Sequence, residues 1–200
     1  MTGIIGAYKC KIVDLNESLI TLTHRAKLES RSLDSVDFVV AYVPDSNKSY
    51  HQEGNKIAVC DGEIYLNGEI GGAERIFNAP NLSDLNGMFS LVGFDGTNLF
   101  IIRDPLGVKP LYYIQRNDGM VFASEAKALA SFQEEIKEFP PGHYFDSEKG
   151  FIRYYTLPSE RAEDPNAAKT LYQHIDSAVK IRIDPDIGAW LSGIAGIHLF

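Results

Sequence analysis

Short apolar runs alternate along this 200-residue chain with polar stretches punctuated by Gly, Pro, Asn and Asp. The densest writing is Leu85 to Leu129. Apolar residues fill Met88 to Phe94, Asp95-Gly96-Thr97-Asn98 supplies turn chemistry, and Leu99 to Ile102 follows, which predicts a β-hairpin. Asp104-Pro105-Leu106-Gly107 is a further turn, Pro fixing φ and Gly free to take a positive one. Val108 to Ile114 and Met120 to Ala123 read as two more strands around a turn at Gln115 to Gly119, the whole forming an antiparallel meander. Ser124 then caps a short helix with Glu125 in its first turn.

Upstream, Gly3 to Tyr8 reads as a buried first strand, Asn16 to Arg25 as a helix and His24 to Asp37 as loop. Val36 to Val43 is β-branched and aromatic, hence a strand ended by Pro44-Asp45. Ser46 to Gly54 reads as polar turns, Lys56 to Cys60 as a short strand and Ile70 to Ser83 as irregular chain. Downstream, Gly142 to Phe145 and Phe151 to Tyr155 form a second hairpin around the turn Asp146 to Gly150. Pro158 to Pro165 is polar and reads as a linker. Beyond it Leu171, Ile175, Ala178, Val179 and Ile183 recur at helical spacing until Asp184-Pro185-Asp186 stops the helix, and Ile187 to Leu191 reads as an apolar strand.

Composition narrows the function classes. Hydrophobic residues are 44% and charged ones 23%, ordinary for a globular domain with a core. A net charge of −8 without a Lys/Arg cluster argues against a nucleic-acid surface, which needs cations to displace phosphate counterions. Cys10 and Cys60 have no ligand-like spacing and suit a reducing cytosol, so a cytoplasmic location and no metal are expected. The start lacks a signal-peptide pattern, and no apolar run reaches the ~20 residues of a membrane span, so no membrane partner is expected.

Three blocks in order carry more information than any single short motif: Leu-Asn-Gly-Met-Phe at 85–89, Arg-Asp-Pro-Leu-Gly-Val-Lys-Pro-Leu-Tyr-Tyr at 103–113 and Phe-Ala-Ser-Glu-Ala-Lys-Ala-Leu at 122–129. Together with Pro-Pro-Gly-His-Tyr at 140–144 and Phe-Ile-Arg-Tyr-Tyr at 151–155, they resemble the glutaminase half of asparagine synthetases. The resemblance implies an N-terminal nucleophile hydrolase of class α+β, a four-layer αββα sandwich of two antiparallel sheets. It divides the chain into a glutamine amidotransferase type 2-like domain at 1–157, a linker at 158–165 and, at 166–200, a truncated stub of an ATP-pyrophosphatase-type synthetase domain.

In that family a cysteine exposed by loss of the initiator Met attacks the glutamine amide, with its own α-amine as base. The matching residue here is Thr2. An N-terminal Thr with a free amine is also a known nucleophile, so Thr2 either acts or merely starts a strand. Asp61-Gly62-Glu63-Ile64-Tyr65 matches a motif that begins with Asn in the family, where the Asn amide and the following Gly N–H hold the oxyanion. One such donor is worth roughly 2.7–4 kcal/mol. An ionised Asp61 accepts rather than donates, while Gly62 still offers its N–H and Glu63 a group for the substrate α-amine. Asn67-Gly68-Glu69-Ile70 repeats the pattern six residues later in a shifted register.

Two other family features are missing. The strand Phe38 to Val43 lacks the Arg that clamps the substrate carboxylate, His24-Arg25 fitting a different block, and Gly71 to Pro80 lacks the Ser-Asp-Thr-Glu segment. The family's pyrophosphate loop is matched only at Trp190-Leu191-Ser192-Gly193, after which Ile194-Ala195-Gly196-Ile197 departs, so no ATP chemistry and no cofactor are expected. The expectation is an asparagine synthetase-related glutaminase domain with degraded activity, acting as a binding or accessory module or surviving as a relic. The alternative is an active amidohydrolase that uses Thr2 on glutamine or a related amide and supplies ammonia to a separate synthetase for asparagine biosynthesis. The apolar tail is expected to pack back on its own domain, to pair with a second copy as a homodimer, or to dock on a synthetase partner.

Overall fold

A computed structural model describes residues 2–10, 15–25, 31–34, 38–43, 47–66, 69–78, 81–117, 119–159 and 163–183. It divides into two compact units after Pro158. In chain order the first unit contains strands β1 (Gly3–Tyr8), β2 (Arg31–Asp34), β3 (Phe38–Val43), β4 (Tyr50–Glu53), β5 (Lys56–Leu66), β6 (Glu69–Gly71) and β7 (Asn86–Phe94). It continues with β8 (Leu99–Arg103), β9 (Tyr112–Gln115), β10 (Met120–Ala123), β11 (Lys137–Glu138), β12 (His143–Asp146) and β13 (Gly150–Arg153). Two short helices, α1 (Asn16–Ile20) and α2 (Arg75–Asn78), lie between strands. The second unit contains helix α3 (Ala167–Lys180).

The strands form two antiparallel sheets. One has the order β11-β9-β10-β1-β3-β2, the other β13-β12-β8-β7-β5-β4, with β6 added on β5. The α+β sandwich follows from how the apolar positions alternate. Ile4, Val40 and Phe122 of the first sheet and Val59, Val92 and Ile101 of the second belong to one buried cluster between the sheets. The outward residues Ile5, Val121 and Ala123 are covered by Leu15, Leu19 and Leu22 around α1 and by Ala128 and Leu129. The outer face of the second sheet, including Cys60, Phe89 and Leu91, packs with Ala73 and Leu85, flanked by Ile76 and Phe77 of α2.

The strongest sequence block turns out not to be a meander. β7 pairs with β8 in one sheet and β9 with β10 in the other, so the chain changes sheets between Arg103 and Tyr112. Side chains at the crossing enforce this. The Asp104 carboxylate accepts the backbone N–H groups of Leu106, Val108 and Lys109, fixing Val108-Lys109 as loop and confining the strand to Tyr112–Gln115. Arg103 donates to the carbonyls of Gly107, Lys109 and Phe139.

Other local expectations also change. Ser124 does not cap a helix: its N–H and Oγ bond the Ile4 C=O and N–H, and a 3-10 segment, Ala126–Phe132, begins after Glu125 without a side-chain cap. The helical signal of 16–25 yields α1 and then a 3-10 turn, Thr23–Arg25. The supposed loops contain β2 and β4, polar edge strands that need only backbone groups to pair, and the irregular stretch contains β6 and α2. The strand expected to end at Cys60 runs on to Leu66, through Asp61.

In the second unit α3 covers the predicted helical stripe from Leu171 to Val179 but ends at Lys180, before Ile183, and Leu171, Tyr172, Ile175 and Val179 are exposed on it. The stop at Asp184 to Asp186, the strand Ile187 to Leu191, the loop-like Trp190 to Ile197 and the apolar tail lie outside the described residues, as do Met1 and Asn67-Gly68.

Candidate active site

Thr2 stands immediately before β1, and Asp61 lies midway along β5; both are fully buried. Asp61 continues the inward parity of Ile57 and Val59, so its carboxylate faces the space between the sheets. A single residue brings the two together. Arg25 ends the 3-10 turn after α1, and its Nη1 donates to the Thr2 carbonyl at 2.6 Å and to Asp61 Oδ2 at 2.5 Å. Its Nε donates to Glu125 Oε1 at 2.6 Å. The Arg25 side chain is 4% exposed and that of Asp61 fully buried, so this is an interior ion pair rather than a surface one.

The other Asp61 oxygen is also taken. Lys109, delivered by the clamped crossing loop, places Nζ 3.1 Å from Oδ1 with its side chain 14% exposed. Both Asp61 oxygens therefore accept from cations. Burial alone would weaken the hold of Arg25 on its proton, but the charges and hydrogen bonds of Asp61 and Glu125 outweigh it and push its pKa up. Glu125 behaves in the complementary way. Burial raises it, yet hydrogen bonds from Lys127 and Arg25, with the charges of Arg25 and His24, bring it below the ordinary carboxylate range.

The Thr2 hydroxyl lies 2.8 Å from Ser49 Oγ, just ahead of β4. Gly62 has φ +117°, and a Cβ there would fall on the Met88 carbonyl, so the backbone passage requires glycine. Glu63 is exposed, its Oε2 accepting from the Tyr65 hydroxyl at 2.5 Å. Across the β5–β7 pair, Asp61 stands opposite Ser90, whose Oγ is buried and has no hydrogen-bond partner. Among the described residues no group of three or more His, Cys, Asp or Glu is placed to hold a metal, and no helix is long and apolar enough to cross a membrane.

The four residues singled out in the sequence thus divide. Thr2 and Asp61 share one network, Gly62 shapes the strand beside it, and Glu63 stands on the surface next to it. Arg25, Lys109, Ser49 and Ser90 were not foreseen. His24-Arg25 was visible as a dipeptide, but the return of its turn to the start of β1 was not.

Comparison with known proteins identifies relatives of the chain. Residues 74–131 match the glutamine amidotransferase domain family. The chain is 36% identical over 147 residues to a probable glutamine-hydrolyzing asparagine synthetase of Schizosaccharomyces pombe, covering 67% of this chain and 25% of that protein. It is 31% identical to asparagine synthetase B of Escherichia coli, covering 96% of this chain and 43% of that one. The chain spans less than half the length of these relatives. In fold it is similar to the glutamine phosphoribosylpyrophosphate amidotransferase of B. subtilis, with a TM-score of 0.57 at 16% identity over 78% of this chain and 50% of that chain.

Proposed function

The chain belongs to the asparagine synthetase-like glutamine amidotransferase domains, and on that premise we propose that it has kept the glutaminase fold and lost most or all glutaminase turnover. One observation supports the reading: the Asp61 carboxylate is bonded on both oxygens to Arg25 and Lys109, and by the motif resemblance it takes the position of a donor for developing negative charge. The two cations that could have stabilised that charge are already neutralised by Asp61. The nucleophile position fares no better, since Thr2 is fully buried and its carbonyl is held by the guanidinium that binds Asp61. A domain of this kind serves as an accessory or binding module in the cytosol, the tail being the segment through which a second copy or a synthetase docks.

The proximity of the Thr2 and Ser49 hydroxyls supports a second reading, an amidohydrolase that uses Thr2 and feeds ammonia to a separate synthetase. That reading requires a free Thr2 α-amine, so an intact mass that includes Met1 eliminates it.

Repair of the motif tests the first reading. The double variant Thr2→Cys with Asp61→Asn is expected to show no more than a trace of glutamine hydrolysis in an ammonia-release assay. The site then has its nucleophile and amide but leaves Arg25 and Lys109 without their counter-ion, and the substrate carboxylate without the family's clamp. Turnover at the rate of an intact glutaminase would show that these two positions alone had disabled it.

A further inference from the structure

Asp61 is bound as a ligand is bound. Its two oxygens meet two cations from different parts of the chain, Arg25 at 2.5 Å and Lys109 at 3.1 Å, in a site closed to solvent on the carboxylate side. Arg25 has a second partner in Glu125, so the loss of Asp61 would not empty that region of negative charge. The ammonium of Lys109 has no such reserve, since its bond to Asp61 is its only ion pair among the described residues. Ser90, opposite Asp61 in the neighbouring strand, adds a buried hydroxyl without a partner. A cationic pair with an adjacent unused hydroxyl is the equipment of an anion site.

We propose that Arg25 and Lys109 form a carboxylate-binding centre whose resident ligand is the Asp61 side chain, and that a small free monocarboxylate takes its place when that side chain is shortened. This deepens the reading of a site silenced from within, naming the group that silences it and the ligand class it imitates. Size and access both favour a very small ligand. The space released by Asp61→Ala is that of one carboxylate, and Lys109, the more exposed of the two cations, has its stem beside half-buried Gly62. Formate fits best, acetate adds a methyl group, and larger acids are excluded.

The test is rescue of stability in D61A by formate. Its thermal midpoint is expected to rise saturably, by about 4 °C or more over the same concentration of chloride. The wild type, whose centre is filled, and D61N, whose amide fills the same space, are expected not to respond. D61A/K109M, with one cation removed, should lose most of the response. If D61A does not fold in chloride, its refolding yield in formate against chloride reads the same binding. Equal effects of formate and chloride on D61A, or an equal response of D61N, would overturn the proposal. Glutamine hydrolysis by the wild type is a separate readout: it would sink the loss of turnover and leave the formate result standing.

Discussion

Asp61→Asn is expected to destabilise the amidotransferase domain by about 3 kcal/mol or more, even though it restores the family residue. The change removes the negative charge from between a buried guanidinium and a partly buried ammonium. One amide oxygen continues to accept, but the NH2 group must face a guanidinium or an ammonium that is itself a donor. Breaking a buried pair costs more than the pair contributes, because the surviving charge is left without compensation. At about 2–4 °C per kcal/mol for a chain of this size, the thermal midpoint should fall by roughly 6–12 °C. Urea melts of the two proteins, compared at equal slope, measure it directly. A change within half a kcal/mol would mean that Asp61 does not carry the site's electrostatics.

Arg25→Met should cost about as much, on the order of 3–5 kcal/mol, by the opposite route. It leaves a fully buried carboxylate with only Lys109, takes a charged donor from the Thr2 carbonyl and removes one of the partners of Glu125. The acid limb should change as well. Glu125 is depressed in the folded state, so it contributes stability present above its unfolded pKa and lost as pH falls through the folded one. Without Arg25 that depression shrinks, and the variant's stability should vary less with pH below the unfolded carboxylate pKa of about 4.3. Chemical melts at neutral and acid pH measure both effects. A variant as stable as the wild type would contradict the role given to Arg25.

What the sequence disclosed, and what it concealed, follows from where each interaction is closed. β1, β7, β8, β10 and the β12–β13 hairpin were legible because their apolar runs and turn residues are local. β2 and β4 were not, because edge strands pair through backbone groups, which no side-chain pattern reports. Adjacent strands were assumed to pair, yet the sheet that receives β9 is decided by Arg103 and Asp104 bonding loop groups, which no periodicity reports. The site shows the same division. Thr2, Asp61, Gly62 and Glu63 lie in recognisable motifs. Arg25 and Lys109 reach Asp61 across 36 and 48 residues, and only the fold brings them there. The Asp at position 61 looked like a simple loss; its two partners show that it is also a structural centre.

The most direct measurement is ammonia release from glutamine by the wild-type chain with Met1 removed, so that Thr2 carries a free amine. No turnover above that of the Thr2→Ala variant is the expected result. Turnover that is present in the wild type and disappears in Thr2→Ala would contradict the proposed loss of glutaminase activity.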